Sequence, residues 1–364
     1  MRVIPQQATG KQKVKSKVWI VLLSALIVQG CDRFRSKHEP TPYTLNYPSH
    51  FPAPAIPPSN EMTEEGVRLG RHLFFDERLS GDNSQSCNSC HMQESNFAEP
   101  FRFSTGIDGL QGDVNAMVLS NIAWQQLYFW DGRTSTLEDQ VKDPILNPIE
   151  MHADFASIIE KLEQDATYLE LFDKAYGSEE ITEDGIAKAL AQYIRTIISG
   201  TSKFDQYVEG NYQFTPSEQL GFDIFNNEQG DCFHCHGAAT SGYQMGAFGL
   251  LQFSNNGLDS THEVGDGREG VTGNPNDRGK FKVPSLRNVE YSFPYMHDGR
   301  FQTLVEVVEF YNMGGHPSPT LDPNMKAAGV GRNWSEAQKQ GLIDFMKTLS
   351  DLQFLEDTAF TSPW

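Results

Sequence analysis

The chain carries two copies of one short pattern, "CNSCH" (Cys87, Cys90, His91) and "CFHCH" (Cys232, Cys235, His236). Two thiols followed at once by an imidazole form the attachment signature of a c-type haem: the thiols bond the porphyrin edge and the histidine reaches the iron as proximal ligand. Each copy alone could also be half of a zinc site, or its two cysteines could pair as a disulfide. Closed zinc sites join a CxxC to a second CxxC or a HxxxH at short spacing, and neither follows here. Two covalently bound haems account for four of the five cysteines.

The fifth, Cys31, stands at the end of an export signal. Residues 1–30 hold Arg2, Lys11, Lys13, Lys15 and Lys17, then the apolar run "VWIVLLSALIV" and Gly30, the order of a secretory leader. That run is shorter than the roughly 20 residues that span a bilayer. "VQGC" resembles a bacterial lipoprotein signal, so Cys31 is expected to carry lipid and to tether the protein to a membrane of the periplasm or cell envelope. An ordinary signal cleaved nearby would instead leave it a free thiol in an oxidising compartment. Residues 31–60 follow as a tether, extended over the proline-rich "PTPYTLNYPSHFPAPAIPPSN". The net charge of −19 becomes −24 once the five basic residues of 1–30 are removed. An acidic surface disfavours nucleic acid and favours a cationic protein, such as a basic electron carrier.

The elements that must hold the two motifs are themselves repeated. Each CxxCH follows a helix bearing a related phrase, "RLGRHLFFDERLSG" (68–81) and "QLGFDIFNNEQG" (219–230). Thr63 caps the first helix; Thr215, Pro216 and Glu218 form the cap, first turn and capping box of the second. Downstream of each motif comes a second pair, "FWDGRTSTLEDQVKDP" (129–144) and "MHDGRFQTLVEVVEFY" (296–311). This internal repeat predicts two similar haem domains, 61–210 and 211–364. Between them 153–165 and 182–200 read as amphipathic helices, the latter capped by Thr182 and ended by Gly200. A last helix is expected over 335–351. With no convincing strand pattern beyond short runs, the fold class is mainly α.

Aligning the repeat on DGR sets Trp130 opposite His297 and Pro144 opposite Tyr311. Proline offers no ligand atom, whereas a tyrosine oxygen binds ferric iron, so the repeat predicts one open haem and one closed by Tyr311. A core tyrosine sharing a face with Leu304 and Val308 is equally consistent with the pattern. Met313 lies roughly 200° around the helix from Tyr311 and cannot face the same point.

From about Pro57 to about Phe354 the chain resembles the bacterial di-haem cytochrome c peroxidases and their MauG relatives, most specifically in "FWDGR", "NPIEM", "KVPSLRN" and "PYMHDGR". The resemblance implies that His91 and His236 are proximal ligands and that Trp130 passes electrons between the haems. It implies that Gln140, Pro144 and Glu150 face the open side of the first haem, with Glu150 the acid–base group for peroxide. Asn115, Ser292 and Pro294 match a calcium site, with Ser292 where threonine is usual. In many members a histidine sixteen residues after the first proximal histidine blocks that iron; here the position is Ile107, which cannot ligate. Where the family places a distal methionine, this chain has Tyr311.

The implied enzyme reduces hydrogen peroxide with electrons from a small cytochrome c or cupredoxin. A MauG-like variant would oxidise residues of a partner protein, and a non-catalytic di-haem electron carrier is a third reading. A redox sensor would need an output domain, and none is visible. A homodimer is compatible with all of them. Taken by themselves, Glu150 reads as a solvated charge, Trp130 and Phe129 as core aromatics, and Gln140 as a helix surface residue. His72, His152, His262 and His316 have no partner at ligand spacing and read as structural or exposed.

Overall fold

The computed structural model describes residues 39–237, 253–263 and 265–364; the leader and Cys31 lie outside them. The first half holds α1 (Glu64–Phe74), α2 (Cys87–Cys90), α3 (Leu137–Gln140), α4 (Lys142–Leu146), α5 (Phe155–Glu163), α6 (Ala166–Tyr176), α7 (Glu183–Arg195) and α8 (Lys203–Val208). The second holds α9 (Pro216–Phe225), α10 (Phe233–His236), α11 (Glu269–Thr272), α12 (Leu304–Met313), α13 (Glu336–Lys347) and α14 (Leu352–Leu355). The only sheet among the described residues is one antiparallel pair, β1 (Phe253–Ser254) with β2 (Phe281–Lys282). The fold is mainly helical.

Helix starts follow local chemistry. Thr63 accepts from the Gly66 amide at 3.0 Å, and capping boxes join Thr215 to Glu218 and Thr303 to Glu306, satisfying amides that have no partner within the helix. The helix over 182–200 stops earlier than its pattern suggests, at Arg195. Thr196, Ile197 and Ile198 are β-branched and poor helix formers, and the donors beyond them are claimed elsewhere: Ser199 N by Asn121 Oδ1 at 2.9 Å and Gly200 N by Asp351 Oδ2 at 2.9 Å. Gly200 therefore does not cap the helix.

The duplication is visible as a repeated crossing. The helix preceding each CxxCH packs across a later helix of its own half, α1 on α7 and α9 on α13. A glycine sits at each crossing. A Cβ on Gly70 would lie 1.9 Å from Ala189 O, and one on Gly221 would lie 1.9 Å from Gly341 O, so neither position tolerates a side chain at this spacing.

Two hydrophobic clusters fill the halves. One gathers Leu69, Phe74, Phe97, Ile158, Tyr168 and Tyr193, together with Phe354, Leu355 and Phe360 from far downstream. The other gathers Phe204, Phe225, Val308, Trp334 and Phe345. A buried polar seam links residues of the two halves. Arg287 makes two hydrogen bonds to Asp205 at 2.7 and 2.6 Å, and Asn288 donates to Asn96 Oδ1 and Ser199 Oγ, both at 3.0 Å.

Residues 39–60 hold no helix before a short 3-10 turn at Pro58–Asn60, and they run along the body rather than away from it. Tyr43 N donates to Met62 O at 2.9 Å, Phe51 is buried, and Pro52 O accepts from the Trp124 indole at 2.8 Å. This stretch is docked and is not a free tether.

Candidate active site: two cavities with a shared wall

Each CxxCH histidine is oriented by a main-chain carbonyl. His91 Nδ1 donates to Phe97 O at 2.8 Å, and His236 Nδ1 donates to Pro284 O at 3.2 Å. A proton held at Nδ1 by that contact keeps the lone pair on Nε2, the arrangement a metal-ligating histidine needs. Burial lowers the pKa of both imidazoles, that of His236 to about 4, so they stay neutral. Cys87 and Cys90 line one cavity with His91, and Cys232 and Cys235 line another with His236. The donor set and the cavities fit two haems.

The first cavity measures about 1030 Å³, at the upper end of the roughly 300–1,000 Å³ usual for ligand sites. His91 shares it with Gln140 at the end of α3, Pro144 in α4, and Glu150. Glu150 is held by Asn147, whose Nδ2 donates to Oε1 at 2.7 Å. Burial raises the Glu150 pKa, opposed by the Asn147 hydrogen bond and the charge of Arg133. A carboxyl in this setting can hold or release a proton nearer neutrality than usual.

Ile107 is not part of this wall. Its amide donates to Glu150 O at 3.0 Å, and its Cδ1 sits 3.2 Å from where a Gly81 Cβ would be. The loop is thus pinned to the backbone of the catalytic candidate, while its side chain packs elsewhere.

The second cavity joins His236, Cys232 and Cys235 to Tyr311 of α12. Asn256 Nδ2 donates to Tyr311 Oη at 3.2 Å and also contacts Met296 Sδ at 3.5 Å. Burial pushes the Tyr311 phenol up to about 12. Met313 is 62% exposed, so α12 turns its tyrosine, not its methionine, toward the cavity.

The two cavities share a wall made of residues 115–118, Gln125, Trp130, Phe281 and Lys282. Trp130 donates its indole N–H to Asn115 O at 2.8 Å, and Asn115 N donates to His297 O at 2.7 Å. The His297 ring stacks on Phe281 with centroids 3.6 Å apart and meets Trp130 edge-on at 6.5 Å. Ser292 and Pro294 line the second cavity beside Asn115. The Asn115 amide nitrogen is engaged by Phe101 O at 3.0 Å and Arg102 O at 3.3 Å.

Among the described residues, the one grouping of three or more His, Cys, Asp or Glu side chains close enough to hold a metal is Glu228, Asp231 and His234. Lys326 already pairs with Glu228 and Asp231 there, at 2.5 and 3.2 Å.

Several residues of the site escape sequence reasoning. Asn147 and Asn256 act only through their neighbours. Lys282 lies in the quoted "KVPSLRN" but carries no local sign of burial. His262 is neither exposed nor unpartnered: its Nδ1 lies 2.7 Å from Asp266 Oδ2, and it lines the first cavity. His72 is exposed, with Nδ1 2.8 Å from Arg68 O, and His152 pairs with Asp108 at 2.5 Å.

A profile of the di-haem cytochrome c peroxidase family matches residues 64–213. The cytochrome c551 peroxidase of Nitrosomonas europaea is 36% identical over 307 residues, 82% of this chain and 83% of that protein. The methylamine utilization protein MauG of Methylorubrum extorquens is 33% identical over 309 residues, 84% of this chain and 83% of that protein. Among solved structures, a MauG-like protein associated with microbial copper homeostasis is similar with a TM-score of 0.80 and 33% identity, covering 88% of this chain and 99% of that one.

Proposed function

This chain belongs to the di-haem cytochrome c peroxidase family, and we propose that it reduces hydrogen peroxide at the first cavity with electrons entering through the second. It is an oxidoreductase with di-haem peroxidase function and two haem cofactors. Held by Cys87, Cys90 and His91 and by Cys232, Cys235 and His236, haem supplies iron that binds peroxide in one cavity and exchanges electrons singly in the other.

The chain's own residues do the rest. Glu150 takes the proton of the near peroxide oxygen and returns it to the far one, making water the leaving group. Gln140 donates a hydrogen bond that orients the peroxide. Trp130, common to both walls, is the route for electrons between the cavities. Two electrons from an external donor and two protons complete the conversion to two waters. Pro144 offers the first cavity no side-chain ligand atom, and Tyr311 would offer its phenol oxygen to an iron in the second.

One observation carries this reading: Glu150, oriented by Asn147 at 2.7 Å, lines the same cavity as His91. The test mixes fully oxidised protein with peroxide and follows the high-spin absorption band. Rapid loss of that band, then turnover of reduced cytochrome c, is the expected result. No reaction until one haem has been reduced would overturn it.

The reading extends to two haem domains, 61–210 and 211–364, covalent attachment at all four thiols, and calcium at Asn115, Ser292 and Pro294. It extends to a periplasmic location with lipid at Cys31 and to a cationic cytochrome or cupredoxin donor. A second reading, oxidation of residues in a partner protein, draws support from Tyr311 in the wall of the second cavity. A mass change in a protein encoded beside this one, after peroxide treatment of the mixture, would favour it.

A further inference from the structure

Among the described residues, Lys282 is the only ionisable side chain in the wall common to both cavities. It is 7% exposed, on β2, with its amide donating to Trp130 O at 2.7 Å. Its Nζ donates to Gln125 Oε1 at 2.5 Å and to Leu127 O at 3.1 Å. Both acceptors are neutral, and an ammonium has three donors. Among the described residues no carboxylate forms an ion pair with it, whereas the buried Arg287 is paired with Asp205.

A buried ammonium without an anion is costly and ordinarily sheds its proton or finds a partner. Burial indeed draws the Lys282 pKa down to about 7, with the charge of Asp131 opposing. The third donor and the missing anion call for the same thing, a carboxylate reaching the shared wall from inside a cavity. Haem carries carboxylates on its edge.

We propose that Lys282 is the binding site for a haem carboxylate at the junction of the two cavities, and that it sets the haem potential from beside Trp130. This rests on the reading that both cavities hold haem. A fixed cation beside a haem opposes the added positive charge of the ferric state. Its removal, which also leaves the carboxylate unneutralised, favours the ferric state. The residue positions and tunes; it touches no substrate.

The test measures both haem midpoint potentials by spectroelectrochemical titration of the holoprotein, in wild type, Lys282→Gln and Lys282→Arg, at matched haem content. Lys282→Gln lowers the midpoint of at least one haem, and Lys282→Arg keeps it near wild type. Unchanged midpoints in Lys282→Gln would overturn the proposal, since an amine that merely packs leaves them alone. If the variants fail to load haem, the crystal structure of the wild-type holoprotein decides. Nζ in ion-pair contact with a haem carboxylate supports the proposal, and Nζ bonded only to Gln125 and Leu127 overturns it. Fewer than two haems per wild-type chain would overturn the reading of the cavities and the proposal together.

Discussion

Asn147 and Glu150 are joined by a 2.7 Å hydrogen bond inside the first cavity, and this contact works against burial in setting the carboxyl's proton affinity. Burial raises the Glu150 pKa above its ordinary 4.5, and Asn147 pulls it down. In the proposed role of accepting a peroxide proton Glu150 must be ionised, so the peroxide reaction should gain rate as pH rises through that raised value. Glu150→Gln should cost about 10²- to 10⁴-fold in the peroxide step and flatten this acidic limb. Asn147→Ala should move the limb to higher pH. Stopped-flow rates between pH 4 and 8 check both; a limb that survives in Glu150→Gln assigns it to another group.

Tyr311→Phe removes the hydroxyl bonded to Asn256. The low-spin haem spectrum should change while the high-spin features persist. Met313→Leu, on the exposed side of α12, should leave both spectra alone. An unaltered low-spin spectrum in Tyr311→Phe would reduce the tyrosine to a packing role.

Gly70→Ala and Gly221→Ala each place a Cβ against a main-chain carbonyl of the crossing helix. Each should cost about 3 kcal/mol, the upper part of the range for overpacking. Urea unfolding followed by circular dichroism measures it, and the similar loss expected in the two variants reports the duplicated crossing.

Asp205 and Arg287 are both 2% exposed. Burial alone would raise the Asp205 pKa, but the charge and hydrogen bonds of Arg287, with help from His50 and Ser202, hold it well below the usual carboxylate range. A depressed carboxylate contributes stability in full above its unfolded pKa, near 3.9, and loses it as pH falls toward the folded value. Arg287→Ala strands the buried anion and should cost about 3–5 kcal/mol at neutral pH. The deficit against wild type should shrink in unfolding experiments at progressively lower pH.

Local chemistry made much of this molecule readable from its residues. Thr63, Thr182 and Thr215 cap helices through neighbours three positions away, and the CxxCH spacing needs only one turn of chain. Helix geometry alone separated Tyr311 from Met313. What was not legible depends on pairs far apart in sequence. Lys282 meets Gln125 and Leu127 across 157 and 155 positions, and no periodicity in "KVPSLRN" announces it. The end of α7 at Arg195 is set by Asn121 and Asp351, which take the following amides, and the docking of 39–60 by partners such as Trp124. His262 looked isolated because its role in the first cavity arises from a loop of the other half.

Phe97 supplies the carbonyl that orients His91, and its own ring packs against Phe354 and Phe360 at 5.8 and 5.9 Å. Gln93, two residues past His91, donates to Phe354 O across 261 positions. A chain emerging from its N-terminal end would therefore carry His91 long before the aromatic buttress behind that histidine exists. The earlier motif is thus braced late, so maturation of the first cavity waits on residues 261 positions downstream.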